Sequence, residues 1–264
     1  MLFSWLRARR RRAIREQPFP AAWNDLLRRH LRQLEWLTDD ERSRLRERVA
    51  VFLAEKRFEG CGGMEITDEV RLAVASQAGL VALGFAEECF DSLRSVLVYP
   101  GDYVVPRSTP LGGGGELEWR EARLGETWGG GSMVLSWPRV VDGGRMRDGP
   151  RSLVIHECAH LLDLEDGDID GVPPLPAGRS RSAWAETMAE CRERFEEALD
   201  EGRSTPFDDY AAESPAEFFA VASECFFQDP HRLLRHDRVL YDLLVAAWRQ
   251  DPRGRVPARG PRGL

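Results

Sequence analysis

The chain has 264 residues, of which 42% are hydrophobic and 31% charged, and its formal net charge is −7. Such a chain can bury a substantial core, in one large domain or two small ones. No apolar run approaches the roughly 18–20 residues that cross a bilayer, so no transmembrane segment is predicted.

The N-terminus is strongly basic. Residues 1–50 contain 13 arginines and 7 acidic residues, a balance of +6, so the remaining 214 residues carry −13. The arginine cluster at residues 7–12 predicts a solvated basic tail, with contact to nucleic acid or to a membrane surface as the alternative. Lys56 is the only lysine of the chain, so arginine is its general cationic residue. We therefore expect the tail and no direct nucleic-acid binding.

Helical patterns dominate the first third of the chain. In residues 21–56, leucine and valine recur at helical spacing. Residues 67–90 are rich in alanine and leucine and predict a largely buried helix. We therefore predict an N-terminal helical region with a basic tail over residues 1–90.

The pattern changes at Asp91. The segment SVLVYPGDYVV, residues 95–105, predicts strand, turn and strand. Residues 132–137 predict another short strand. The four glycines at 112–115 lack the Gly-Lys-Ser/Thr of a phosphate loop and predict the tip of a hairpin. Together these segments predict a small antiparallel sheet.

Helical patterns return after Pro150. We predict helices near residues 150–165, 178–200, 214–228 and 231–250. Residues 253–264 are rich in Pro, Gly and Arg and predict a disordered tail. The order of helices, a few strands and more helices indicates an α+β fold, with its core over residues 91–252.

The segment SLVIHECAHLLD, residues 152–163, carries the pattern H-E-x-x-H at His156, Glu157 and His160. Helical residues four apart project from one face, so both imidazoles can reach a single Zn²⁺ at about 2.0–2.1 Å. Glu157 lies about 100° round the axis from His156, the position of a general base in metal-assisted hydrolysis. The pattern arises by accident in roughly one such chain per hundred. We predict one zinc ion per chain.

A zinc enzyme of this kind needs a third protein ligand. Asp163 and Asp166 stand where the longer pattern H-E-x-x-H-x-x-G-x-x-H requires glycine and histidine, so that class is excluded. A glutamate of a later helix is a better expectation than the other histidines of the chain, which are His30, His231 and His236.

Residues 208–227 supply three candidates, Glu213, Glu217 and Glu224. The run Ser214-Pro215-Ala216-Glu217 has the form of a helix start closed by a capping box. On local rules, Glu217 would therefore cap the helix and Glu224 would be the ligand in its middle. The residues themselves leave this choice open.

Two features follow the second histidine. Asp163, on the same predicted helix as His160, either orients a ligand histidine or belongs to the helix end. The run DGDIDG, residues 166–171, matches the first half of a calcium loop, but Ala177 stands where a bidentate glutamate is needed. A structural turn is therefore expected there.

Several segments resemble the MtfA family (Mlc titration factor A-like) of bacterial zinc metallopeptidases. They are MLFSWLRARRRR, SVLVYPGDYVV, GGGSMVLSWPRV, VIHECAHLLDLEDGDIDGVPPLP and YAAESPAEFFAVASECFF, and the resemblance runs from the first residue to about residue 252. Around the metal, the chain is also similar to the peptidase domain of anthrax lethal factor. The resemblance implies a zincin-like core, in which a small antiparallel sheet accompanies the H-E-x-x-H helix and C-terminal helices.

Carried across by position, the resemblance implies His156, His160 and Glu217 as zinc ligands, a gluzincin-like set, with Glu157 as the base. It also places Tyr210, seven residues before Glu217, near the metal. There its phenol would donate a hydrogen bond to the developing oxyanion. A buried tyrosine bonded to backbone is the alternative for Tyr210.

The expected function is that of a zinc-dependent peptidase with Glu157 as general base. The resemblance implies aminopeptidase-like action on short peptides. The alternative is a regulatory binding protein that sequesters a transcriptional repressor of the Mlc type without catalysis. Five scattered cysteines with no C-x-x-C pair fit a reducing cytosol, and the apolar start of the chain precedes its charges, unlike a secretory signal. We therefore expect a cytoplasmic protein.

Overall fold

A computed structural model describes residues 2–85, 89–102, 107–111, 115–119, 131–147 and 149–258. The strands within these ranges are β1 (Arg57–Gly60), β2 (Ser95–Tyr99), β3 (Arg107–Leu111), β4 (Gly115–Trp119) and β5 (Ser132–Ser136). The helices are α1 (Leu2–Arg15), α2 (Ala21–His30), α3 (Asp39–Glu55), α4 (Asp68–Val81), α5 (Trp137–Arg145), α6 (Leu153–Asp163), α7 (Arg181–Asp200), α8 (Pro215–Gln228), α9 (Pro230–His236) and α10 (Arg238–Trp248). Helices and strands together make a mixed fold, as the sequence predicts.

Three of the strands form a parallel sheet in the order β1-β2-β5. In its register, Val96 of β2 is opposite Phe58 of β1 and Met133 of β5. The prediction of an antiparallel sheet is wrong for these strands. The reason is that α4 lies between β1 and β2 in the chain, and such a helical crossover returns the next strand in the same direction.

A separate antiparallel pair is formed by β3 and β4. They flank residues 112–114, so the hairpin tip predicted at the glycines lies mostly outside the described residues. The second strand predicted within residues 95–105 also falls largely on residues outside the description. Trp137, predicted to end a strand, instead begins α5, because Pro138 fits the first turn of a helix.

The centre of the molecule is helical. Every residue of α4 from Leu72 to Val81 is buried, and so is every residue of α6 from Val154 to Asp163. Helix α6 contacts α4 on one side and α8 on the other, and α8 is buried from Phe218 to Gln228. A helix surrounded in this way holds its polar side chains away from water. Within the described ranges, each helix is too short or too polar to cross a membrane.

The two ends of the chain differ from the sequence prediction. Residues 2–15, expected as a solvated tail, form α1, which packs against α3. Near the C-terminus, Val256 is buried and Arg255 pairs with Glu41, at 2.7 Å from Nε to Oε1, so residues 253–258 are held on the body. Residues 259–264 of the predicted disordered tail lie outside the described part of the chain.

Candidate metal centre

The H-E-x-x-H segment forms the buried helix α6. Ser152 caps it, because the Ser152 hydroxyl accepts a hydrogen bond from the backbone N–H of Ile155 at 3.2 Å. The side chains of His156, Glu157 and His160 are almost fully buried, with exposed fractions of 4%, 1% and 4%. Burial of three ionisable groups is unfavourable unless they have partners, so their contacts determine what the site can hold.

The two histidines converge on one point. His156 and His160 lie one helical turn apart, and their Nε2 atoms approach to 3.1 Å. The prediction that both imidazoles project from one face of a helix is therefore confirmed by the geometry. Two ring nitrogens that face each other at this distance leave room for a proton or a cation between them.

Glu217 joins the histidines from α8. Its carboxylate lies 3.1 Å from His156, measured from Oε2 to Nε2, and 3.3 Å from His160, measured from Oε1 to Nε2. Its backbone N–H donates to the hydroxyl of Ser214, the N-cap of α8, at 3.1 Å. The backbone N–H of Glu217 therefore takes part in capping the helix, while its side chain contacts the histidines.

Glu224, the alternative ligand, lies two turns further along α8 and approaches His156 from the opposite side. Its Oε1 is 3.0 Å from Nδ1 of His156, and its Oε2 accepts a hydrogen bond from the backbone N–H of Ser152. Both carboxylate oxygens are thus engaged by protein groups. A carboxylate on Nδ1 fixes the ring orientation and leaves Nε2 for a ligand, which is a common support for metal-binding histidines.

Glu157 is buried beside this cluster. Its Oε1 has no hydrogen-bond partner among the residues that the structure describes. Burial raises the pKa of Glu157 to about 8, although the nearby His156 acts in the opposite direction. A positive charge in the cluster favours the ionised form of this carboxyl group, which then serves as a proton acceptor.

The pKa values of the groups in the cluster are shifted from their usual values. Burial opposes protonation of His156, but its hydrogen bonds to Glu217 and Glu224 outweigh burial and raise its pKa. Burial lowers the pKa of His160. Burial also opposes ionisation of Glu217, yet the hydrogen bonds of the two histidines outweigh it and hold the pKa of that carboxyl well below its usual range. The cluster thus favours a bound positive charge.

Tyr210 lies in the short 3₁₀ turn Asp209–Ala212, immediately before α8. Its ring centroid is 6.1 Å from that of His156, and the side chain is half-buried. Burial raises the pKa of Tyr210, and the charge of Glu217 raises it further, so the hydroxyl keeps its proton at neutral pH. It is therefore placed to donate a hydrogen bond beside the cluster.

The remaining histidines are engaged elsewhere. Nε2 of His30 is 2.6 Å from Oε1 of Glu69. His231 and His236 contact backbone carbonyl oxygens through Nε2, of Val256 at 2.8 Å and of Ser204 at 3.0 Å. Within the described residues, the cluster that could hold a metal ion is His156, His160 and Glu217.

The segment after α6 is a turn that packs against the start of α8. Asp163 accepts a hydrogen bond from the backbone N–H of Gly171 at 2.8 Å. Gly171 has φ +79°, and a Cβ atom there would lie 2.6 Å from the carbonyl oxygen of Pro215 in α8. Asp166 and Asp170, of the DGDIDG run, pair with Arg181. These contacts support the structural turn expected for the run.

A cleft of about 1340 Å³ opens beside the cluster. His156 and Tyr210 form part of its wall, together with apolar Leu153, Phe207 and Val221. The wall also includes five arginines, Arg139, Arg147, Arg151, Arg203 and Arg232. A space of this size admits several residues of an extended peptide.

The three ligand groups fit a metal ion of tetrahedral preference. A tetrahedral ion with bonds of about 2.0–2.1 Å holds its ligand atoms about 3.3 Å apart. The two Nε2 atoms are 3.1 Å apart, Oε2 of Glu217 is 3.1 Å from His156, and Oε1 of Glu217 is 3.3 Å from His160. With one ligand atom from each residue, the three atoms lie within 4.8 Å of one another. Two imidazoles and one carboxylate leave one position of such an ion open. This is the kind of site that metal-dependent hydrolases use.

Comparison with known proteins agrees with this class of site. The sequence profile of the family described as glucose-regulated metallo-peptidase M90 matches residues 5–249. The chain belongs to this family, which indicates a metallopeptidase that holds a metal ion.

Relatives match along most of the chain. An uncharacterized protein of Synechocystis sp. is 33% identical over 237 residues, covering 89% of this chain and 86% of the relative. Proteins named Mlc titration factor A are similar as well. The one from Serratia proteamaculans is 30% identical over 249 residues, with 89% of each chain covered. The one from Yersinia pestis is 31% identical over 241 residues, with 89% and 87% covered.

Proposed function

We propose that this chain is a zinc-dependent peptidase that hydrolyses short peptides with aminopeptidase-like specificity. The observation that carries the proposal is the convergence of His156, His160 and Glu217 beside the buried carboxyl group of Glu157. A gluzincin-like ligand set within a zincin-like core is part of the same proposal.

In this proposal, His156, His160 and Glu217 hold one zinc ion. Two nitrogens and one carboxylate oxygen are a donor set that suits zinc. Zinc bound there supplies Lewis-acid chemistry: it lowers the pKa of a water molecule to about 7 and polarises a carbonyl oxygen. Glu224 holds the ring of His156 through Nδ1, and this contact keeps Nε2 directed at the ligand point.

Glu157 transfers the proton, and Tyr210 supplies a hydrogen bond. Glu157 takes a proton from the attacking water and returns it to the leaving amine. Because Glu157 lies beside the ligand histidines and almost without exposure to solvent, the proton stays within the site. The hydroxyl of Tyr210 donates a hydrogen bond to the oxygen on which negative charge develops, and such a donor favours the transition state.

The cleft provides the substrate site. Its wall includes His156 and Tyr210, so a peptide lying in it would contact one histidine of the cluster and the tyrosine beside it. At the same face, Ser136 ends β5 and donates to Asp102, which also lines the cleft, with 2.8 Å between the two oxygens. In the described part of the sheet, β5 is an outer strand, and a peptide in extended form could pair with its edge.

The proposal is tested by zinc analysis and by cleavage of short-peptide libraries with free or acetylated amino termini. We expect one zinc per chain and cleavage of the free peptides. Glu157→Gln should retain zinc while kcat falls about 10²–10⁴-fold. Glu186→Gln, the same change on an exposed face of α7, is the matched control and should leave both unchanged. Zinc binding without cleavage of any peptide would overturn the peptidase, and equal cleavage of acetylated peptides would overturn the aminopeptidase.

A second function is favoured by the relatives named Mlc titration factor A. We propose that the chain can also sequester a transcriptional repressor of the Mlc type in the cytoplasm. The sequence has five scattered cysteines with no C-x-x-C pair, which fits a reducing compartment. Such sequestration needs no chemistry, so Glu157→Gln should still release a Mlc-type repressor from its DNA as well as the natural chain does. Failure of both proteins to release the repressor would contradict this function.

A further inference from the structure

Helix α1 is basic along its whole length. Its 14 residues include six arginines and no acidic residue, in a chain whose net charge is −7. Near-complete exposure accompanies this charge: of the side chains described from Trp5 to Arg15, only Arg11 is buried and Ile14 partly buried. Burial of its side chains in the protein core therefore contributes little to holding this helix. Its position depends on polar contacts with the body, and its outward side is open to a partner.

Three arginines hold α1 on the body. Arg10 donates to the backbone carbonyl of Ala54 in α3, at 3.3 Å from Nη2 to O. Arg11 makes two hydrogen bonds to the carboxylate of Glu55, of 2.9 and 2.7 Å, and also contacts Asp91. Arg7 pairs with Asp91, with Nη1 and Oδ2 2.5 Å apart. Because these contacts lie on one face, they fix which side of α1 turns outward.

The outward side combines arginine with apolar side chains. Trp5 and Leu6 are 58% and 47% exposed and are neighbours in the chain, whereas Ile169 and Val239, the other exposed large hydrophobic residues in the described part of the chain, lie singly. The guanidinium of Arg9 lies 5.7 Å from the centroid of the Trp5 ring. An exposed aromatic and aliphatic pair beside unburied cations is unusual for a surface that only meets water.

The two kinds of side chain are separated along the helix axis. Trp5 and Leu6 lie in its first half, and Arg9, Arg10 and Arg12 lie in its second half. Trp5 and Arg12 are about 10 Å apart along the axis at 1.5 Å per residue. Residues 5, 9 and 12 follow the helical spacing i, i+4, i+7, so Trp5, Arg9 and Arg12 share one face of the helix. A helix that lies along a membrane surface presents both kinds of side chain to it.

We propose that α1 is a reversible docking site for an anionic phospholipid surface. Trp5 and Leu6 enter the outer boundary of the acyl chains, while Arg9 and Arg12 contact the phosphates; Arg12 also pairs with Glu16, and its side chain is 82% exposed. The charge of the arginines selects a negative surface, and the two apolar side chains select lipid over a hydrophilic polyanion, which offers them no apolar contact. A single short helix of this kind gives weak binding that salt and lipid composition control.

The test is sedimentation of the full chain with vesicles of phosphatidylcholine, alone or with about 30% phosphatidylglycerol, at low salt. Binding is expected to the anionic vesicles only and should fall as NaCl rises from about 0.1 to about 0.5 M. Changing Arg9 and Arg12 together to Gln should weaken binding about 25-fold, from about fivefold for each arginine. Trp5→Ala with Leu6→Ala should weaken it about tenfold or more.

A charge-matched control replaces Arg28 and Arg57 by Gln; both are exposed and lie outside α1. It should bind vesicles as the natural chain does. Absence of binding to the anionic vesicles would overturn the proposal. It would also be overturned if duplex DNA or heparin displaced the vesicles completely and the Trp5 and Leu6 changes had no effect, because α1 would then be a site for polyanions in general. Circular dichroism of each variant checks that the fold is retained.

Discussion

Helix α8 presents two glutamates to the same histidine, one from its first turn and one from its third. The two glutamates contact different nitrogen atoms of the ring. Glu217 meets His156 at Nε2, while Glu224 meets it at Nδ1. Both oxygens of Glu224 are engaged by protein groups, including a backbone N–H of Ser152. Glu217 instead faces the two nitrogen atoms that a metal would use. The contrast shows that chemical type alone does not determine a carboxylate's role; its partners do.

The difference follows from the position of each residue along the helix. At the third position of α8, Glu217 keeps a side-chain exposure of 19%. Glu224 lies in the buried stretch, where its side-chain exposure is 10%. A buried carboxylate needs donors on both oxygens, and Ser152 and His156 supply them. In the proposed site, the helix would therefore carry one carboxylate for the ion and one for the histidine that binds it.

The largest effect is expected from Glu217→Gln. A neutral amide binds zinc poorly, so the variant should lose its bound zinc and its peptidase activity together. Glutamine still satisfies a capping box, so a purely capping role predicts retention of both properties. Zinc content by atomic absorption and the peptide cleavage rate decide between these roles.

The matched control for this change is Glu213→Gln, four residues earlier and exposed. It should retain zinc and activity. If Glu213→Gln lost the metal and Glu217→Gln kept it, the ligand set proposed for the site would be wrong.

The outcome for α8 shows what its sequence could and could not predict. The run from Ser214 to Glu217 correctly predicts the start of the helix, and Ser214 is the cap. The same local rule cannot say where the carboxylate of Glu217 points, because that depends on α6, more than fifty residues earlier in the chain. Resemblance to a family supplied this information, and the contacts between α6 and α8 agree with it.

The sheet shows a similar limit. Residues 95–99 and 132–136 were readily predicted as strands, since both are short apolar runs. The parallel direction of these strands was not predicted, because β1 (Arg57–Gly60) has few apolar residues and lies in a region dominated by helical patterns. Without β1, the crossover through α4 is invisible in the sequence. The helix α5 was missed for a related reason, since Gly143 and Gly144 weaken its helical pattern.

The next largest effect is expected from Tyr210→Phe. Loss of one hydrogen-bond donor to a developing oxyanion lowers kcat about 10²–10³-fold. KM and zinc content should change little, because the ring still packs beside His156. Steady-state kinetics on a cleaved peptide measure the two constants separately. An unchanged kcat would show that the hydroxyl plays no part in the reaction.

A smaller effect is expected from Glu224→Gln. The carboxylate accepts hydrogen bonds from two donors, Ser152 N–H and His156 Nδ1–H, whereas an amide has one acceptor oxygen. If that oxygen meets Ser152, the amide nitrogen faces Nδ1 and favours the tautomer with its proton on Nε2. Zinc affinity should therefore fall about 10–100-fold, as is usual for such supporting groups. Competition with a chelator measures it, and an unchanged affinity would remove Glu224 from the site.

The smallest effect is expected from Ser214→Ala. The change removes the acceptor for the backbone N–H of Glu217, which should lower the free energy of unfolding by about 1 kcal/mol. For a chain of this size, that corresponds to a fall in Tm of about 2–4 °C. Ser214→Asp restores an acceptor and should recover most of the loss. Because the side chain of Glu217 is held by the histidines and not by the cap, both variants should keep their zinc. Loss of zinc in Ser214→Ala alone would mean that the cap, and not the contact with α6, positions the third ligand.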